Sequence, residues 1–268
     1  MLDHDIALDE HLDYKDPLRH LMNDHELEGI ISAEGLLRAS SSRSELLDIL
    51  PQESHSIRDG ILKLSFMNDP HNPMYISLSV DASPGCGGLA WPAGQILASY
   101  LVQKGTDYIK NRNILELGSG TGLVGLVAGK LGGDVCITDQ VPLLPLMHRN
   151  ILLNDLESRV IVAELNWGMA IPTTIQRPDL ILAADCVYFE PAFPLLVQTL
   201  SELSDSRTEI LFSYKKRRKA DKRFFTMLKK NFTWKEVTED PNHQIYNREA
   251  LALIRLSKIM KPVNDLLR

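Results

Sequence analysis

The sequence predicts an α/β fold: a doubly wound, mostly parallel seven-stranded sheet with helices on both faces, plus an N-terminal β-hairpin extension. Three observations carry this reading. From residue 113 onward, short apolar runs alternate with amphipathic segments of helical length, the pattern of a parallel sheet covered on both faces. The first of those runs passes into Glu116-Leu-Gly-Ser-Gly-Thr-Gly122, a glycine-rich strand-to-helix turn that makes the domain Rossmann-like. Upstream, Ile61–Phe66 and Tyr75–Val80 alternate apolar with polar residues and bracket Asp69-Pro-His-Asn-Pro73, a hairpin with one buried face.

The elements follow in chain order. Residues 1 to about 56 are polar, broken by Ser40-Ser41-Ser42 and Pro51, and read as short surface helices. With the hairpin they make an accessory segment, residues 1–84, ahead of a main domain, residues 85–268. Pro92 suits the first turn of a helix reaching Lys104, with Ala93, Ile96, Leu97, Tyr100 and Leu101 on one stripe. Strands at Asn113–Leu117, Asp134–Thr138, Val160–Glu164, Leu180–Ala184 and Glu209–Ser213 are then interspersed with helices at Leu123–Leu131, Leu143–Leu153 and Phe193–Leu203. A helix near Asp221–Lys230 and strands Phe232–Val237 and Ala250–Leu256 complete the set of seven.

Composition narrows the function classes. At 268 residues, 44% apolar and 24% charged, the chain can bury an ordinary core. Its net charge of −6 argues against holding a duplex or an anionic membrane by bulk electrostatics, yet tolerates a basic protein substrate. Cys86, Cys136 and Cys186 form no CxxC pair, so neither a disulfide framework nor a zinc knuckle is indicated, and a reducing compartment, by default the cytoplasm, is expected. Residues 1–10 hold four acids and no apolar block, so no secretory leader is expected, and no stretch approaches the ~18 apolar residues of a membrane span. Five of the eight histidines precede residue 56 without i, i+4 pairing, so no metal site is expected.

The glycine turn is the strongest chemical signal. Gly118, Gly120 and Gly122 let the backbone bend sharply and approach a ligand, and the helix N-terminus beyond favours negative charge. The spacing is G-x-G-x-G followed by Leu123, not the G-x-G-x-x-G of dinucleotide sites. Glu116 suits a ligand with positive charge, such as the amino group of a methionine moiety. Asp139 ends the second strand 19 residues after Gly120, where doubly wound folds place an acid on ribose hydroxyls. The plainer alternatives are a structural tight turn and a turn or helix-terminal aspartate.

These residues, with Asn166-Trp167 and Ala183-Ala-Asp-Cys-Val-Tyr188, resemble the class I methyltransferases of the protein-lysine group called methyltransferase family 16, over about residues 85–255. The most specific pieces are Gly87-Gly-Leu-Ala-Trp-Pro-Ala-Gly94 and Asp185-x-x-Tyr188. The runs Ala183–Tyr188 and Ser213–Lys222 resemble the fungal branch that methylates a lysine of translation elongation factor 1-alpha. The resemblance implies S-adenosyl-L-methionine as cofactor, held by Trp91, Glu116, Gly118, Ser119, Gly120, Asp139, Trp167 and Ala184, with S-adenosyl-L-homocysteine as product. It implies a protein substrate, elongation factor 1-alpha being the candidate; with the charge and the lack of an apolar span, a monomer with no stable nucleic-acid or membrane partner is expected. Trp167 can cover an adenine ring and Trp91 can close the methionine side, the plainer alternative for either indole being core filling.

The resemblance also places Asp185 and Tyr188 at the target-lysine channel as the catalytic pair. Methyl transfer needs a neutral amine in line with the methyl carbon, whereas free lysine has a pKa of about 10.4. An aromatic wall of Tyr188 and Phe189 would desolvate the ammonium, and Asp185 would orient the amine. A negative Asp185 alone would raise the lysine pKa, so positioning is its first role. The run Lys215–Lys219 reads either as a solvated loop or as a dock for an acidic patch of substrate or RNA. Cys186 reads as a small buried filler. Two rivals remain in view: methylation of a base or small molecule, which the missing prolines at residues 186 and 187 disfavour, and an inactive scaffold, which the full cofactor set disfavours.

Overall fold

The structure, a computed structural model, describes residues 49–56, 60–67, 73–81, 86–217 and 221–260. The surface helices expected before residue 49, the hairpin turn at 68–72 and the basic residues 218 and 219 lie outside the described residues. Two sheets form. The smaller has strands β1 (Gln52–Ser56), β2 (Ile61–Phe66) and β3 (Met74–Ser79), antiparallel in that order. The expected hairpin is thus present as β2 and β3, with β1 added on its outer edge. β2 and β3 bury Leu62, Leu64, Phe66, Ile76 and Leu78 in the same core as Ile96, Leu97 and Val127. At about 1.5–3 kcal/mol per fully buried large apolar side chain, that face fastens the small sheet to the main domain.

The main domain runs α1 (Pro92–Lys104), α2 (Thr106–Ile109), β4 (Asn113–Leu117), α3 (Leu123–Lys130), β5 (Asp134–Asp139), α4 (Leu144–Leu152), β6 (Val160–Glu164), β7 (Leu180–Ala184), α5 (Phe193–Leu203), β8 (Glu209–Lys215), α6 (Asp221–Leu228), β9 (Phe232–Glu236), α7 (His243–Arg248) and β10 (Leu251–Lys258). Its seven strands lie in the order β6-β5-β4-β7-β8-β10-β9. β10 pairs antiparallel with both β8 and β9, while the pairs from β6 through β8 are parallel. This is the Rossmann-like sheet that the alternation predicts. The period-2 geometry is visible in β7: Leu180 and Leu182 join one core cluster, Ile181 and Ala183 the cluster on the opposite face. All five residues of the expected α1 stripe are buried.

Helix α4 and the turn that follows it carry two asparagines, Asn150 and Asn154, that complete the edge of β3. The Asn150 amide accepts the Ser79 N–H at 2.7 Å and donates to the Ser79 carbonyl at 3.1 Å and the Thr121 carbonyl at 2.9 Å. Asn154 accepts the Ser77 N–H at 2.9 Å and donates back to the Ser77 carbonyl at 2.7 Å. The amides replace a neighbouring strand and satisfy backbone groups that burial would otherwise orphan. Through Thr121 they also tie the small sheet to the glycine turn.

Candidate functional site

The carboxyl ends of β4, β5 and β7, with the segment after β6, converge on a cavity of about 660 Å³. It lies beside β4, where the chain's strand order reverses between β5 on one side and β7 on the other, the place where open α/β sheets bind ligands. Its volume is within the ~300–1,000 Å³ typical of small-molecule sites. Trp91, Glu116, Gly118, Ser119, Gly120, Asp139, Trp167, Ala184, Asp185 and Tyr188 all line it, together with Phe189. The lining also includes Leu89, Thr121, Gln140 and Leu195, which the sequence did not nominate as site residues.

The turn after β4 is built by close packing. Gly118 and Gly120 have φ of 59° and 57°, in the left-handed region. A Cβ on Gly120 would lie 2.4 Å from the Gly87 carbonyl oxygen, and one on Gly118 would lie 2.9 Å from Cζ2 of Trp167. The turn therefore interlocks with the short 3-10 segment Cys86–Gly88 and with the indole that closes the cavity. The Ser119 hydroxyl accepts the Thr138 N–H at 2.9 Å and donates to the Glu116 carbonyl at 3.2 Å, stitching β4 to β5. Its side chain is a strut of the turn.

Two acids line the cavity at this turn. Asp139 accepts the Gly120 N–H at 2.8 Å and the Gln140 N–H at 2.7 Å. Burial raises its pKa, and those two N–H groups oppose the rise. Glu116, 2% exposed, accepts the Gly125 N–H of α3 at 3.0 Å. Burial pushes its pKa up to about 8; the Gly125 N–H and Ser119 pull it down, and the charge of Asp139 adds to the rise.

On the other side of the cavity Asp185 follows β7 with φ of 56°, a left-handed conformation in a residue other than glycine. Its N–H donates to the Ser213 carbonyl at 2.8 Å. Its carboxylate receives both terminal nitrogens of Arg217, Nη1 to Oδ1 at 2.6 Å and Nη2 to Oδ2 at 2.7 Å. The two side chains are 6% and 7% exposed. Neither reading of the basic run describes Arg217: Lys216 is exposed, but the Arg217 side chain is enclosed against an acid of the cavity wall. Cys186 is buried with Sγ 3.3 Å from the Leu117 carbonyl, and burial pushes its thiol well above the usual range, as suits a filler.

The sequence model of the lysine methyltransferase family matches residues 71–231. The chain belongs to this family. It is 41% identical over 199 residues to Protein-lysine N-methyltransferase EFM6 of Saccharomyces cerevisiae, covering 64% of this chain and 81% of that one. It is 40% identical to Protein N-lysine methyltransferase METTL21A of Danio rerio, over 60% of this chain and 76% of that one. It is 32% identical to EEF1A lysine methyltransferase 3 of Xenopus tropicalis, over 63% and 76%. The protein is an S-adenosylmethionine-dependent protein-lysine methyltransferase, and the residues present fit that cofactor. Glu116 and Asp139 are carboxylates whose charged forms burial disfavours, and a cationic amino group with ribose hydroxyls would relieve both.

A pH dependence follows for this lysine methyltransferase. Glu116 has a folded pKa of about 8 against an ordinary 4.5, so its contribution to stability is complete below about pH 4.5 and is lost as pH rises to about 8. A ligand cation beside it lowers that pKa, so binding releases a proton at neutral pH. Calorimetric titration with S-adenosylhomocysteine near pH 7, in buffers of different ionisation enthalpy, is expected to show this release in the parent and its loss in Glu116→Gln. The same release in both proteins would assign the proton to another group.

Proposed function

We propose that this enzyme methylates a lysine of translation elongation factor 1-alpha, as a cytoplasmic monomer without a nucleic-acid partner, with Asp185 and Tyr188 bordering the acceptor channel. On this reading residues 85–268 are the methyltransferase domain and residues 1–84 an accessory segment. The observation that carries the acceptor assignment is that Asp185 and Tyr188 line the same cavity as Glu116 and Asp139. The relative named for EEF1A and the net charge of −6, suited to a basic substrate, support the choice of protein. No helix among the described residues is long and apolar enough to cross a membrane.

The cofactor supplies a methyl carbon on a positively charged sulfur. When bound, it would offer that carbon to the lone pair of the lysine nitrogen, the N–C bond forming as the C–S bond breaks with its electrons going to sulfur, and the amine proton would leave to solvent. The chain's own task is alignment and desolvation. Tyr188 and Phe189 present aromatic surface that excludes water from the acceptor amine, lowering its pKa, and the Asp185 carboxylate accepts an N–H and turns the lone pair toward the methyl group. Glu116 and Asp139 hold the opposite end of the reacting pair.

The test is incubation of the enzyme and S-adenosylmethionine with elongation factor 1-alpha, RNA and small amines in parallel, read by peptide mass spectrometry and transfer of labelled methyl. A methyl increment on one lysine of the factor is expected. Label confined to RNA or to small amines would overturn the proposal.

A further inference from the structure

We infer that Arg217 is a positioning residue for methyl transfer: it grips both carboxylate oxygens of Asp185, fixes the acid at the cavity wall and balances its charge, so that the acid can orient the neutral acceptor amine without holding it protonated. The inference deepens the proposed role of Asp185 and rests on it.

The geometry is specific to this pair. A guanidinium is a planar fork that matches a carboxylate in two parallel hydrogen bonds, a match that a lysine ammonium cannot make. Here both bonds are short, 2.6 and 2.7 Å, and both side chains are almost wholly enclosed. Each partner is fixed in turn. Asp185 is tied through its N–H to Ser213 of β8, and the Arg217 N–H donates to the Asp221 carboxylate at 3.0 Å, on the first residue of α6. The loops after two adjacent parallel strands, β7 and β8, are thereby fastened together at the cavity. Asp185 also holds a strained backbone angle, and such strain persists only where its surroundings over-determine it. The two-point grip is one of those surroundings.

Electrostatics give the grip a chemical purpose. Glu116 and Asp139 line the same cavity, and Cys186, next in the chain, feels the charges of Asp185, Asp139 and Glu116 together. Asp221, which accepts the Arg217 N–H, adds a further carboxylate on the far side of the pair. An unbalanced Asp185 carboxylate in this acidic neighbourhood would favour the ammonium form of an incoming lysine, the form that has no lone pair. Paired with Arg217, the acid adds little net charge. Each of its oxygens has further acceptor capacity beyond the bond to the guanidinium, enough to receive an amine N–H.

The test compares the parent with Arg217→Met, Arg217→Lys and Asp185→Asn, measuring kcat/KM from about pH 6.5 to 9.5, binding of S-adenosylhomocysteine and thermal unfolding. For Arg217→Met we expect transfer at neutral pH to fall by about tenfold or more and the midpoint of the pH profile to move up by about one unit. Product binding should stay within about threefold of the parent. Arg217→Lys keeps the charge without the fork, and should keep the parental midpoint while losing rate. A parental midpoint in Arg217→Met overturns the inference. If that variant does not fold, parental kcat in Arg217→Lys overturns it instead. A parental rate in Asp185→Asn would defeat the prior assignment of Asp185, whereas a slow Asp185→Asn beside a parental midpoint in Arg217→Met defeats the role of Arg217 alone.

Discussion

Replacing Gly120 with alanine is expected to weaken S-adenosylhomocysteine binding by about a hundredfold or more, equivalent to about 2.7 kcal/mol, and to lower the melting temperature at the same time. Two costs act together. An L-residue in the left-handed region costs about 1–2 kcal/mol relative to glycine, and Gly120 has φ of 57°. The added Cβ would also lie 2.4 Å from a backbone oxygen, that of Gly87, which cannot swing aside as a side chain would. Relief requires moving either the turn, with the N–H that Asp139 accepts, or the 3-10 segment that leads into Trp91 and α1. Gly105→Ala is the internal control. That glycine also has a positive φ, 75°, but a Cβ there meets nothing within 4 Å, so a loss of stability from backbone strain with unchanged binding is expected. Calorimetry and thermal unfolding of the two variants separate the terms. Parental affinity in Gly120→Ala would mean that the turn does not shape the cofactor pocket.

What the sequence made legible follows from how local each feature is. β4 and β7 are covered on both faces, so β7 is apolar throughout and β4 is apolar apart from Asn113 and Glu116, and both stand out as strands without tertiary information. Glu116, the glycines and Asp139 belong to one strand-helix-strand unit, whose length fixes their spacing. β1 was invisible because Gln52–Ser56 has no apolar alternation, and its strand character comes from pairing with β2. α2 and α7, of four and six residues, are too short to show a helical period. The contact between Asp185 and Arg217 spans 32 residues and joins the ends of two strands, while the arginine sits in a basic run that pattern alone assigns to solvent. Asn150 and Asn154 have the same difficulty: polar residues on a helix and in the turn after it read as surface, yet here they stand in for a strand. Ser119 shows a different limit. Its position at the cavity was legible, but not that its hydroxyl is spent on Thr138 and Glu116.

At Asp185 the expected effect is on chemistry. Asp185→Asn preserves the shape of the side chain and the tolerance for a left-handed φ, and removes the charge. Positioned acid-base groups contribute about 10²–10⁴ in rate, so kcat measured in single turnovers at saturating cofactor should fall by at least about a hundredfold. Affinity for S-adenosylhomocysteine should change by no more than a few-fold, because Asp139 and Glu116 stand on other strands with their own backbone partners. Stability should drop as well, since breaking a buried pair leaves Arg217 without its counter-charge, a loss of about 3–5 kcal/mol. Product binding therefore doubles as the check that the variant is folded under assay conditions. Tyr188→Phe keeps the aromatic wall and deletes only the hydroxyl, so a smaller loss of rate is expected there. If binding and kcat fall by the same factor in Asp185→Asn, the carboxylate supports the cofactor pocket and not the acceptor amine, because an interaction made with the amine alone cannot weaken a complex that lacks it.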